Sequence, residues 1–157
     1  MKLLAVATAG LLCAGVAAAA EPAETITARA QVLDGGTLKL DGFAIRLWGI
    51  AVPAPSRPDG MRSTIGLFRL IDGRIVSCHL NNGRDQSTYL GKCEAGGWDI
   101  SALMVDGGYA RDCPAMSSAR YHIQEQRARA NGSDLTTTFA LPSHCETRSG
   151  ARKNPAG

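Results

Sequence analysis

The segment from Thr25 to Ile50 constrains the fold most, because short β-type runs broken by glycine turns commit the opening of the chain to a sheet. Ile26 to Leu33 is followed by Asp34-Gly35-Gly36, Thr37 to Leu40 by Asp41-Gly42, and Phe43 to Ile50 closes the series. Asp-Gly between alternating apolar residues is a strong hairpin signal, since both residues tolerate the backbone angles that tight turns demand. A three-stranded meander is therefore expected. Pro53, Pro55 and Pro58 then interrupt any periodic pattern between Ala51 and Gly60, so that stretch is expected to be a loop.

Further along, Arg62 to Ile71 sets Ile65, Leu67, Phe68 and Leu70 on a rough helical face, and Asp72-Gly73 stops it. A strand from Arg74 to Leu80 and its hairpin partner from Thr88 to Glu94 follow. Asp99 has the character of an N-cap for a helix to Val105, with Ile100, Leu103 and Met104 inward and Gly107-Gly108 at its end. Ser118 opens another helix to about Ala130, closed by Asn131-Gly132. The expected class is α+β, mainly β: a five-stranded OB-type barrel with three helices. Strand order alone also admits another α+β arrangement.

Residues 1–20 carry Lys2 as their only charge, an apolar stretch from Leu3 to about Leu12, and a small-residue run ending Ala18-Ala19-Ala20. That pattern is expected to be a cleaved signal peptide, and the chain a periplasmic or secreted protein with no membrane span after cleavage. A retained anchor is disfavoured by the Ala and Gly content. Cys13 is read as part of the signal, because Leu12 precedes it where a lipoprotein signal needs a small residue. The globular domain is expected to span 25–145, and residues 146–157 to form a disordered tail.

Four cysteines lie beyond the leader: Cys78, Cys93, Cys113 and Cys145. An even number in a small exported domain points to disulfides. Zinc is the rival, with His79 and His144 each beside a cysteine, but no spacing is C-x-x-C or H-x-x-x-H. Cys78 and Cys93 flank the turn-rich stretch Leu80 to Arg84, which favours pairing them across a hairpin and, by remainder, Cys113 with Cys145. Charge is less informative. The 17 basic and 14 acidic residues become 16 and 14 once Lys2 is removed, and part of that small excess is Arg148, Arg152 and Lys153. Proteins that hold a polyphosphate through many contacts usually carry a clear basic face.

Several segments together resemble the thermonuclease (staphylococcal-nuclease-like) family. Val32 to Leu38 is similar to its V-x-D-G-D-T turn, and Ile45 to Ala54 to its I-R-L-x-G-I-D-x-P-E segment. Tyr89-Leu90-Gly91-Lys92 resembles Y-G-R, Asp99 to Ala110 resembles D-[IV]-x-x-x-[LM]-V-x-x-G-x-A, and Tyr121, Glu125, Ala128 and Arg129 match the last helix. The likeness covers about Ala28 to Pro142 in the family's order.

That resemblance implies calcium-dependent hydrolysis of phosphodiester bonds in DNA and RNA, with two carboxylates on the metal, a third as general base and two arginines on the phosphorane. Here the two metal-binding acids fall on Gly36 and Ala51 and the base on Ala54, so all three carboxylates are absent. The first arginine matches Arg46; the second falls on Lys92, which keeps a charge without the bidentate fork. Arg46 and Lys92 are the residual site candidates, and Asp34 and Asp59 the nearest acids that could substitute. Tyr89 and Trp48 are expected to pack rather than stack on a ligand, and Glu125 and Arg129 to be structural. No cofactor is expected, with calcium relevant only if the chain is a nuclease after all. The implied function is a catalytically inactive, exported binding module for an anionic, saccharide or protein ligand, an envelope or exopolysaccharide accessory by analogy with exported family members. A weak or re-equipped metal-dependent phosphodiesterase is the alternative.

Overall fold

The computed structural model describes residues 24–85, 87–133 and 135–147. The expected leader, and the expected tail beyond Thr147, lie outside these residues. The protein is α+β, built mostly of strands around a curled half-barrel sheet, with three helices of seven or more residues.

The chain opens with β1 (Thr25–Arg29), β2 (Gln31–Asp34), β3 (Thr37–Leu40) and β4 (Phe43–Leu47). Next come the short β5 (Ile50–Ala51) and helix α1 (Pro58–Ile71). Strands β6 (Ile75–Asp85), β7 (Thr88–Ala95) and the two-residue β8 (Trp98–Asp99) lead into α2 (Ile100–Asp106). Finally β9 (Arg111–Asp112) precedes α3 (Pro114–Ser117), α4 (His122–Ala130) and a 3₁₀ turn at Ser143–Cys145.

The large sheet runs β1-β6-β7-β4-β3-β2, with β8 added against β7, while β5 and β9 form a separate pair. Its two edge strands, β1 and β2, are consecutive in the chain and separated only by Ala30. Strands joined by one residue cannot lie at opposite ends of a flat sheet, so the sheet must curl. The meander expected from Thr25 to Ile50 is corrected accordingly. Only β2, β3 and β4 form it, whereas β1 leaves to pair with β6, where Thr25 Oγ1 meets His79 Nδ1 and Thr27 Oγ1 meets Ser77 Oγ, each at 2.8 Å. A run of alternating residues crossing Ala30 gives no local sign of this exchange of partner. The parallel pairing of β4 with β7, with Arg46 opposite Leu90, closes the middle of the sheet.

Alternation decides what faces the core. Leu38, Leu40, Ile45 and Leu47 are at most 1% exposed, each contributing about 1.5–3 kcal/mol relative to an exposed side chain. Arg46 between Ile45 and Leu47 consequently faces out. Helix α1 closes one side of the core with Leu67 and Ile71, and α2 contributes Ile100, Met104 and Val105. Asp99 caps α2, its Oδ1 accepting from the Ala102 amide at 3.2 Å, as expected. Val105 rather than Leu103 is fully buried.

Other boundaries move for local reasons. Helix α1 begins at Pro58, inside the stretch expected to be loop, because proline at the first helical position has no amide to lose. Strand β6 continues past Leu80 through a bulge between Asn81 and Arg84, so the turn-rich stretch belongs to the strand. Ser118 does not open a helix: it has φ of 56° and its amide bonds to Pro114 O, ending α3. Ala119 also has positive φ, so α4 starts only at His122. Both disulfides pair as expected, Cys78 with its cross-strand partner Cys93 and Cys113 with Cys145. No helix among the described residues is long and apolar enough to cross a membrane.

Candidate functional site

Gly36, Arg46, Ala51 and Ala54 come from three separate stretches of sequence, and the fold brings them to one cleft of about 260 Å³. The turn before β3 supplies Asp34, Gly36 and Thr37. Its shape is fixed by Asp34 Oδ1 accepting from the Gly36 amide at 2.8 Å, the local bond that aspartate offers its own turn. The Leu47 amide bonds to Gly36 O at 2.8 Å and holds this turn against β4. Arg46 projects from β4 on the outward face, and the chain then enters β5 and the Val52–Pro55 segment that forms the opposite wall.

A further wall was not foreseen from the sequence. Met116, Pro142 and His144 also line the cleft. The Cys113–Cys145 bond draws the C-terminal arm back against α3, and Cys145 N→Pro142 O at 2.8 Å shapes its 3₁₀ turn. Beneath lies a small apolar cluster of Ala51, Cys113 and Cys145 with Met116, Phe139 and Leu141. The available signal was the adjacency of His144 to Cys145, whose partner lies three residues before Met116.

The chemistry of the cleft follows from its donors. Asp34 is its sole carboxylate among the described residues, with one oxygen already engaged by Gly36. Gly36, Ala51 and Ala54 offer no side-chain oxygen. A Cβ on Gly36 would lie 2.8 Å from Val52 Cγ2, so Val52 occupies the room an acid at position 36 would need. Calcium takes six to eight oxygens, several of them charged, and this arrangement does not fit it. Asp59 does not line the cleft; it stands at the start of α1, and its carbonyl accepts from Ser63 Oγ at 2.9 Å. Arg46 is exposed and forms no hydrogen bond or ion pair among the described residues.

Lys92 is not part of the cleft. Its Nζ sits 4.1 Å above the Trp48 ring, a cation–π contact, and Trp48 in turn meets Tyr121 edge-on with centroids 6.4 Å apart. Tyr89 packs edge-on against Phe43 at 5.7 Å. Glu125 bonds Arg111 at 3.1 Å, and Arg111 also donates to Phe139 O at 2.9 Å, so this pair ties α4 and the C-terminal arm to β9. Cys113, His144 and Cys145 bring possible ligand atoms within 4.8 Å of one another, but both sulfurs are spent in the disulfide, which removes the thiolates zinc would require.

Two buried groups behind the site have shifted acidities. Burial pushes the Asp112 carboxyl up, against a lowering bond from Ser117 Oγ at 2.6 Å. Burial likewise raises the Tyr121 phenol, reinforced by the Asp99 carboxylate 3.0 Å from its hydroxyl. The Tyr121 phenol therefore keeps its proton at neutral pH and donates it to Asp99.

Comparison of the sequence with protein-family models and with curated proteins finds no match.

Proposed function

We propose that this chain is an exported, degenerate relative of the thermonuclease-like OB-type domains that binds an anionic ligand in its cleft and does not hydrolyse it. Export rests on the charge and small-residue pattern of residues 1–20 and on the two disulfides. The observation that carries the reading is the convergence of Gly36, Ala51 and Ala54 on one cleft beside an arginine without a partner among the described residues. Those three positions carry the family's carboxylates in the resemblance, and they meet in space although they are scattered in sequence. The metal and base are gone, while the cation that faces an anion remains. Removing a general base alone costs about 10²–10⁴ in rate.

The test has two arms. Hydrolysis of single-stranded DNA and RNA by the oxidised mature domain is measured with calcium, with other divalent ions and with chelator, and no chelator-sensitive cleavage is expected. Binding of a short oligonucleotide and of an oligouronate is measured by titration calorimetry against the wild type and Arg46→Ala. At least one anionic probe is expected to bind and to lose affinity in Arg46→Ala. Chelator-sensitive cleavage abolished by Arg46→Ala would show that the site finds its metal ligands elsewhere.

A further inference from the structure

Helix α1 violates the usual amphipathic rule on the side away from the cleft. Its inner face buries Ser63, Leu67 and Ile71, and its outer face should be polar. Instead Met61, Ile65 and Phe68, spaced i, i+4 and i+7, form an apolar stripe that is 62%, 45% and 55% exposed. The only charged residues between Met61 and Arg69 are Arg62 and Arg69 themselves. Scattered exposed apolar residues are ordinary, but a stripe on one helix face signals a partner.

The surroundings state the partner's chemistry. Beside the stripe lies a groove of about 550 Å³, walled by Met61 and Ile65 on α1 and by Tyr109, and sharing no lining residue with the cleft. Its shape is fixed. The ring of Tyr109 packs so closely on Gly66 that a Cβ there would lie 2.5 Å from it. Arg62 is pinned as a wall, donating to Gly108 O and to Ser133 O at 2.8 Å. Two neighbouring concavities continue the surface past Phe68 and past Trp98, which is 65% exposed. Across all three the lining carries Arg29, Arg62, Arg69 and Arg74 against one acid, Asp72. Arg69 has no hydrogen bond or ion pair among the described residues.

We propose that this face docks an amphipathic, acidic segment of another protein, its apolar side chains entering the groove between α1 and Tyr109 and its carboxylates meeting Arg69. A second copy is disfavoured because two such faces would set arginine against arginine. Residues 148–157 are also the wrong charge to fill it, with Arg148, Arg152 and Lys153 and no acid among them. A flat lipid surface would leave the groove unfilled and could not use the pinned Arg62.

The experiment pans a displayed library of random short peptides against the oxidised mature domain and measures the enriched peptide by fluorescence anisotropy. A consensus combining acidic with regularly spaced apolar residues is expected, weakened about tenfold or more by Phe68→Asp and by Arg69→Glu. Ile123→Asp, an exposed apolar site lining none of these concavities, is expected to leave binding unchanged. Circular dichroism checks each variant, and Met61→Asp gives the same readout should another fail to fold. A library without consensus, a consensus lacking acids, or affinity indifferent to both substitutions would overturn the proposal. So would phosphatidylglycerol vesicles or self-association showing the same residue dependence in place of the peptide.

Discussion

Restoring carboxylates to the cleft offers a quantitative check on the degenerate-site reading, and the structure changes which substitutions suffice. Gly36→Asp, Ala51→Asp and Ala54→Glu together supply the missing oxygens, but the new Cβ at position 36 would stand 2.8 Å from Val52 Cγ2. Carbon atoms prefer about 3.5–4.0 Å, so Val52 or the turn must move, at an overpacking cost of about 1–3 kcal/mol. That strain opposes the convergence calcium needs. The triple variant is therefore expected to bind calcium poorly, and adding Val52→Ala to bind it clearly better. With calcium at about ten times its dissociation constant, binding stabilises the fold by about 1.4 kcal/mol, or about 3–6 °C in melting temperature for a domain of this size. Scanning calorimetry of wild type, triple and quadruple variants, with calcium and with chelator, reads this directly. A calcium-dependent shift in the wild type, or equal shifts in triple and quadruple, would refute the argument that Val52 fills the space an acid at position 36 would need.

Three further outcomes are expected. Non-reducing peptide mapping should recover Cys78 linked to Cys93 and Cys113 linked to Cys145; replacing Cys113 and Cys145 by serine, a separation of 32 residues, should cost about 3–4 kcal/mol by the chain-entropy model, read by urea unfolding. Gly60→Ala should destabilise by about 3 kcal/mol, because a Cβ there would land on the Ala54 carbonyl oxygen, and a loss under about 0.5 kcal/mol, the scale of ordinary surface changes, would mean the loop gives way freely. Asp112 is only 3% exposed and its folded-state pKa is raised by burial; the unfolded chain therefore ionises first as pH rises, and stability should fall from the ordinary carboxylate range up to the raised folded value and then level off. Asp112→Asn, which keeps an acceptor for Ser117, should flatten that slope in denaturant midpoints measured against pH.

What the sequence made legible was local. The Asp-Gly turns, the Asp99 cap and the stop at Gly107-Gly108 are each decided within a few residues, and each is where it was expected. The disulfide pairing was also readable, although the hairpin turn lies farther along than Leu80 to Arg84. Non-local pairings were not readable. Nothing in Ile26 to Leu33 announces that Ala30 divides two edges of one sheet, since the alternation of side chains continues through it. Ser118 carries the composition of a helix cap, and only the left-handed backbone forced by the end of α3 overrules it.

The same distinction explains the cleft. Gly36, Ala51 and Ala54 were found through a resemblance that is linear in sequence, and β4 brings them together because Leu47 bonds Gly36 while the chain runs on directly into β5. Lys92 was found in the same way, yet it stands away from them. On β7 it is Leu90 that lies opposite Arg46, and Lys92 sits two residues further on, beyond the cleft and over Trp48. A second cation facing the cleft from β7 would have to stand at the Leu90 register, where an apolar side chain lines it. The arm that adds His144 is placed by a covalent bond rather than by strand pairing. The cleft thus carries one arginine from its sheet and one histidine from a tethered arm, and Asp34, its sole carboxylate among the described residues, supplies less fixed negative charge than a calcium ion calls for.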